Sequence, residues 1–478
     1  VSPQLLRIYS FFPQQQFLLS AFSESQTAIY RRIAARKRFP SSSEIPYFRY
    51  EIGSNTTMRK IGFLIASLIL CASLQAAQIL IPMDDHQHDH LRAYGITYKV
   101  LNRGGEAKWL LNYRYGSFMF PYTKEDEQEC KVMGVTFEVI PDVMAAGILT
   151  DISSPEKNMD AVKLEKPPKI AVYTPSNKLP WDDAVTMVLK YADIPYDTIY
   201  DEKVIQGILP KYDWLHLHHE DFTGQYGRFW AGFKDRDWYK HDVATNEAMA
   251  SKLGFMKVSH LKLAVAKKIR EFVAGGGFLF AMCSATDSYD IALAAEGIDI
   301  CDRMYDGDGF DAQMNSKLNY DVTFAFTKFH LKLNSTEYEF SDIDTYNTRV
   351  QRGVTEQNDY FSLFEFSAKW DPIPTMLCQN HANLIKGFWG QTTGFDKALI
   401  KPGTLIMGEN KAINEARYIH GEAGKGMWTF YGGHDPEDYQ HRVEEPPTDL
   451  SLYPNSPGYR LILNNILFPA ARKKHQKT

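Results

Sequence analysis

From Gln78 onward the chain alternates short apolar runs with longer amphipathic stretches. Residues 79–83 form an apolar run that stops at Asp84-Asp85, as a buried strand does where it meets an acidic loop. Over residues 88–102, apolar side chains recur at Leu91, Tyr94, Ile96, Tyr98 and Leu101. That spacing is compatible with a helix, which Gly95 and Thr97 weaken. The pattern then predicts a strand at 108–113, a helix around 125–133 and a strand at 136–141. Strands alternating with helices argue for a parallel sheet covered on both faces.

Residues 151–168 are polar and end in Pro167-Pro168, which reads as a linker. A second series follows, with strands at 169–174, 196–200 and 212–218 and a helix at 181–192. Residues 224–254 are rich in aromatic and charged side chains and read as an insertion. Leu261, Val265, Ile269, Phe272 and Val273 share one face of a helix at 259–274, which Gly275-Gly276-Gly277 terminates. A strand at 278–282 and a helix at 287–295 come next. Beyond Cys301 the β-branched and aromatic residues of 320–334 and 336–340 suggest antiparallel strands, and 371–408 is loop-rich. A final strand at 426–431 runs into Gly432-Gly433-His434-Asp435-Pro436-Glu437. The expected organisation is α/β, with an N-terminal α/β segment over 77–150, a main domain over 169–470 and a β-rich insertion around 302–425.

Upstream, Met58 is followed by Arg59, Lys60, an apolar run over 61–72 and then Ser73-Leu74-Gln75-Ala76-Ala77. A positive head, an apolar centre and small residues at a cut site make a secretory signal peptide over 58–76, cleaved after Ala76. The run falls short of the roughly 20 apolar residues of a membrane span, so the mature chain is expected to have none. The implied destination is the periplasm or cell envelope. Leu70 stands before Cys71 where a lipoprotein signal carries Gly or Ala, which argues against a lipid anchor. Residues 1–57 show no clear period and read as a leader of low order with no functional role. A 44% hydrophobic content with 13% aromatics supports a substantial core. The net charge of -5, without a sustained basic stripe, excludes nucleic acid as an expected partner. A small molecule or an envelope component is the expected substrate. Cys130, Cys283, Cys301 and Cys378 are spaced too irregularly for a disulfide framework or a zinc knuckle.

Two places carry candidate chemistry. Ala281-Met282-Cys283-Ser284-Ala285 lies directly after a buried strand and before a helix. A thiol there meets a helix N-terminus, whose partial positive charge favours thiolate. His434 and Glu437 follow the last strand, where an imidazole could act as base and a carboxylate could hold its tautomer. In both respects the chain resembles the class I glutamine amidotransferase-like superfamily, over residues 169–299 and 424–438. The resemblance implies a flavodoxin-like parallel sheet, Cys283 as nucleophile, His434 as base and Glu437 as the orienting acid. It also implies oxyanion donors at the backbone N–H of Ser284 and at a loop amide near Glu220 and Asp221. Ala281 and Ala285 stand where that superfamily has glycines, and Asp435 sets His434 and Glu437 one residue further apart than its usual spacing. Residues 81–120, 215–226 and 374–408 also resemble exported bacterial proteins often labelled asparagine synthetase B. No Ser-Gly-Gly-x-Asp-Ser pyrophosphate loop, nor any other ATP or nucleotide motif, accompanies that resemblance.

Histidines supply an alternative chemistry. Asp84-Asp85-His86-Gln87-His88-Asp89-His90 fits a metal tract, but fits a loop leading to an Asp-capped helix better. In Trp214-Leu215-His216-Leu217-His218-His219-Glu220-Asp221, His218 and His219 sit where a strand ends, and His434 joins them in one cleft if the last strand neighbours that region. A divalent metal held by His218, His219 and Glu220 would make a metal-dependent hydrolase. Gln379-Asn380-His381 and Gly390-Gln391-Thr392-Thr393-Gly394 are polar loops able to line that cleft. If Cys283 is instead a sealed core thiol, the chain is an inactive amidotransferase-like binding or scaffold protein.

Overall fold

The computed structural model describes residues 77–175, 183–440, 442 and 445–471, all within one unit spanning Ala72–Thr478. The expected leader, the signal segment with Cys71, Trp181 and the basic C-terminal cluster lie outside the described residues.

Two sheets organise the chain, giving a mixed α/β architecture. The first contains β1 (Ala77–Ile81), β2 (Ala107–Leu111), β3 (Ser117–Pro121), β4 (Glu138–Pro141) and β5 (Asp160–Leu164), in the order β4-β1-β3-β2-β5. Ile79, Ile81, Trp109, Leu111, Phe118 and Phe120 point from one face into the main core, while Leu80, Leu110 and Met119 point oppositely. Every pairing in this sheet is antiparallel, not parallel as the alternation of elements suggested. The physical reason is the reversal between β2 and β3. Asn112, Arg114, Tyr115 and Gly116 take φ of 60°, 46°, 61° and 96°, turning the chain sharply without a crossover helix. The expected linker at 151–168 is also structured, because β5 pairs with β2 and closes the sheet.

Three helices belong to this segment: α1 (His90–Asn102), α2 (Lys124–Met133) and α3 (Asp142–Ser153). Asp89 caps α1, its carboxylate accepting the Arg92 N–H at 2.8 Å, so the acidic tract serves a helix start. His90 stacks on His381 and lies within reach of Asn455 and the Met83 carbonyl, again a structural role.

In the second sheet, β6 (Ile170–Tyr173), β7 (Asp197–Ile199), β8 (Trp214–Leu217) and β9 (Phe278–Met282) are followed by β10 (Tyr360–Leu363), β11 (Leu384–Lys386), β12 (Phe395–Asp396), β13 (Leu405–Asn410), β14 (Glu415–Ala423) and β15 (Gly426–Tyr431). The order is β11-β10-β13-β14-β15-β9-β8-β6-β7, with β12 on β14. Neighbours from β7 through β6, β8 and β9 to β15 run parallel, and those from β15 outward to β11 run antiparallel. Helices α4 (Ala184–Tyr191), α5 (Asp237–Lys252), α6 (Val258–Ala274), α7 (Ser284–Ala294) and α8 (Pro457–Leu467) accompany it. Phe278, Phe280 and Met282 share a core with α1, α4 and α8, while Leu279 and Ala281 pack with α6 and α7. Coverage on both faces explains why β9 is apolar throughout.

The β-rich insertion places its strands later than expected. Residues 320–340 hold only isolated bridges, Phe326–Ile400 and Leu331–Ser341, and a short turn of helix at Tyr320–Val322. Buried Asp290 accounts for this. Its carboxylate accepts the successive N–H groups of Phe324, Ala325 and Phe326 at 2.7, 2.7 and 3.0 Å, removing the donors a ladder needs. Among the described residues, Cys130, Cys283, Cys301 and Cys378 are all free thiols.

Gly95, an unlikely residue by helix propensity, sits where α1 crosses the end of α4. A Cβ at Gly95 would lie 1.9 Å from the Ala192 carbonyl oxygen. Propensity alone favours Gly95→Ala by about 1 kcal/mol. The close approach reverses that sign, so the variant is expected to unfold at lower urea concentration than the parent, and a raised midpoint would contradict the packing.

Candidate functional site

Parallel pairing brings three strand ends to one edge. Leu217 of β8 is paired with Ala281 of β9, and Tyr431 of β15 with Met282. The residues that follow, His218, Cys283 and Gly432, therefore leave the sheet side by side, where open α/β sheets bind ligands.

Cys283 is the turning point. It has φ 53° and ψ -141°, a left-handed backbone that a residue with a Cβ adopts at a cost of about 1–3 kcal/mol. The turn feeds directly into α7. It is tied to β8 by the Ala285 N–H, which donates to the His218 carbonyl at 2.9 Å. The Thr286 hydroxyl donates back to the Cys283 carbonyl at 2.7 Å. The side chain is 2% exposed. Burial pushes its thiol up to about 11, against the opposing influence of the backbone N–H groups of Thr392, Gln391 and Ser284 beside the sulfur. The thiol at rest is therefore neutral.

The polar loop at 390–394 folds over this sulfur. The carbonyls of Thr392 and of Trp389, just before the loop, clasp the strand end opposite: His434 N–H donates to Trp389 at 2.8 Å and Gly433 N–H to Thr392 at 2.9 Å. Gly390 is required by space. A Cβ there would stand 3.0 Å from the Cys283 sulfur and 2.9 Å from the His434 nitrogen. Buried Asp287 and half-buried Asp344 pin the loop, Asp287 accepting the Thr392 hydroxyl and Asp344 accepting the Thr393 N–H, each at 2.7 Å. Burial, reinforced by the charge of Asp344, pushes Asp287 up to about 8. Burial likewise raises Asp344 to about 7.

Imidazoles gather on the other side. The rings of His218 and His434 are 4.3 Å apart between centroids, His218 and His219 4.8 Å, and His219 and His434 5.6 Å. Asp183, at the start of α4, reaches His218 Nδ1 at 3.1 Å and His216 Nε2 at 3.2 Å. Burial works to raise its carboxyl, but the two histidines hold it well below the usual carboxylate range.

The other expected site residues go elsewhere. Glu437 is directed to Ser456, and burial raises its carboxyl. Asp435, which separates it from His434, binds the Glu437 N–H at 2.9 Å and the Tyr459 hydroxyl at 2.8 Å, so the chain turns away before Glu437. Glu220 packs against Tyr200, 3.4 Å away, and burial raises it to about 8 although Lys262 opposes. Its carbonyl accepts the Ser288 hydroxyl at 3.0 Å, so the loop after β8 is spent on holding α7. Asp221 caps its own loop, accepting the N–H groups of Thr223, Gln225 and Gly227 at 2.6, 2.9 and 2.9 Å. Gln379, Asn380 and His381 bond to Asn112, Pro457 and Arg460, remote in role from the thiol. Sequence reasoning missed Asp183, Asp287 and Asp344. None of them left a distinct signal: Asp183 falls inside the helix predicted at 181–192, and the other two act through folding contacts.

No known protein-family profile matches the chain, and no curated protein matches it. Solved structures with a remote likeness include Cytoplasmic Protein STM3548 from Salmonella typhimurium, at 10% identity and TM-score 0.32 over 64% of this chain and 100% of that one. Cytoplasmic Protein STM1381 from Salmonella typhimurium LT2 gives 11% and 0.31 over the same shares. Gan42B, a GH42 beta-galactosidase from G. stearothermophilus, gives 11% and 0.26 over 56% of this chain and 28% of its own length. Likenesses this remote fix neither an activity nor a fold family.

The raised Asp287 has a measurable consequence. An unfolded Asp releases its proton near pH 3.9, whereas the folded one keeps it to about pH 8. Between those values the folded state binds more protons, so its stability falls as pH rises and levels off above the window. Asp287→Asn removes this contribution. Its stability relative to the parent is expected to improve from pH 5 to about pH 8 and then level off in urea titrations, and a pH-independent difference would show that Asp287 is ionised throughout.

Proposed function

We propose that the chain is an amidotransferase-like hydrolase that attacks an amide or related acyl substrate through Cys283, outside the cytoplasm as its signal-like segment implies. The observation that carries this reading is the left-handed turn of Cys283 at the end of β9, with three backbone N–H groups converging on its sulfur. Strained turns of this kind project nucleophiles from the ends of parallel strands. The parallel order β7-β6-β8-β9-β15, with the first two strands exchanged and the rest in sequence, supports a flavodoxin-like core.

In this reading His434 takes the Cys283 proton as the sulfur attacks the substrate carbonyl. A tetrahedral adduct forms, and the N–H groups of Ser284, Gln391 and Thr392 beside the sulfur serve as its oxyanion donors. His434 returns the proton to the leaving nitrogen, giving a thioester that water hydrolyses to regenerate the thiol. Glu437 has no part in orienting the base, since its carboxylate faces Ser456. A neutral resting thiol means activation accompanies substrate binding, when proton transfer and attack are coupled. The same burial favours a second reading, a binding protein with an inert Cys283.

Ammonia release from glutamine and a panel of small primary amides, in the presence of chelator, separates them. Catalysis by the thiol predicts loss to background in Cys283→Ala and a fall of roughly 10²–10⁴-fold in His434→Ala. Turnover that persists in Cys283→Ala rejects the thiol mechanism, and absence of turnover by the parent on every acyl substrate favours the binding protein.

A further inference from the structure

We propose that His218, His219 and His434 form a binding site for a divalent transition metal of the zinc class, with Asp183 as its positioning residue. One ring nitrogen from each histidine lies within 4.8 Å of those of the other two. A tetrahedral zinc with Zn–N bonds of about 2.0–2.1 Å needs its donors about 3.3 Å apart, so small ring rotations close the set. All three come from loops anchored at paired strand ends: β8 supplies His218 and His219, β15 supplies His434, and the clasp with Trp389 fixes the His434 backbone. The anchorage is preformed, not dependent on a mobile arm.

Asp183 gives the cluster its direction. A ligand histidine ordinarily donates its second ring N–H to a carboxylate, which sets the tautomer and strengthens the donor. Asp183 stands 3.1 Å from His218 Nδ1, so in the metal-bound state a proton on Nδ1 would meet the acid and Nε2 would be the ligating nitrogen. His216 also meets Asp183, but it is fully buried within β8 and within reach of the Phe280 carbonyl, which leaves it no ligand position. His219 is the less buried member and lines a small cavity with Pro175, Tyr200 and Gly224. Three neutral imidazoles suit zinc, cobalt or nickel and leave one coordination position open. Glu220, the carboxylate expected in such a site, is bound to Tyr200 and is not a ligand.

Metal occupancy has one consequence that rests on the thiol reading. A His434 lone pair given to a metal is unavailable to take the Cys283 proton, so metal binding and thiol catalysis exclude one another. Zinc would then act as a reversible inhibitor that competes with the general base.

Titrating metal-stripped full-length protein with Co²⁺ tests the site without any substrate. The expected result is one Co²⁺ per chain with the visible absorption of low-coordinate, nitrogen-ligated cobalt. Binding should be lost in His219→Ala and in His434→Ala, and Asp183→Asn should weaken it about 10- to 100-fold. Cys283→Ala should bind as the parent does, which keeps the outcome separate from that of the thiol mechanism. Should His218→Ala fail to fold, the exposed-side variant His219→Ala still decides the matter. Cobalt held no more tightly by the parent than by His219→Ala overturns the site.

Discussion

The left-handed backbone at Cys283 is the constraint on which the site depends. A strand ending in an ordinary conformation would carry its next side chain along the sheet. The reversal at φ 53° lifts the sulfur out at the strand end and starts α7 within one residue. A strain of about 1–3 kcal/mol persists only where the surroundings over-determine it. Here β9 is held between β8 and β15, buried along its whole length, and latched by the Ala285 N–H on the His218 carbonyl. Burying a large apolar side chain contributes about 1.5–3 kcal/mol, so Phe278, Leu279, Phe280 and Met282 comfortably exceed the cost of the turn.

Around that turn the molecule concentrates groups that are neutral when buried and charged when solvated. The thiol, Asp287 and Asp344 all have raised pKa values because burial penalises their charged forms. In the thiol reading, such a site stays neutral until a ligand changes its dielectric or hydrogen bonding. The loop over the sulfur is held by those same acids, so loop geometry and protonation are linked. On the far side Asp183 provides the opposite arrangement, a carboxylate kept ionised by two histidines. Proton acceptance, loop position and imidazole orientation thus meet within a few residues of three strand ends.

Much of this was legible from patterning. β9 and β15 occupy the predicted 278–282 and 426–431, because short, largely apolar runs that start beside a glycine admit few alternatives. Cys283, His218, His219 and His434 were each legible as residues at strand ends, but their gathering depended on β8, β9 and β15 being neighbours, which only the pairing shows. What was not legible depended on long-range partners. Antiparallel pairing of the first sheet was set by four left-handed residues, of which only Gly116 is a glycine. The loss of strands at 320–340 was set by one acid on a distant helix, Asp290. The diversion of Glu437 was set by Asp435 and its bond to Tyr459 of α8. The loop at 390–394 was visible as polar and glycine-bearing, but its N–H groups became relevant only once folded against Cys283.

The central claim is that the Cys283 sulfur is a nucleophile and not a sealed core atom. Intact-protein mass spectrometry after rapid acid quench, with p-nitrophenyl acetate as the acyl probe, addresses it directly. The account predicts a single acetyl adduct that forms before steady state, maps to Cys283 and disappears in Cys283→Ala. An unmodified Cys283 peptide, with acetylation confined to surface lysines or to the other cysteines, would contradict it.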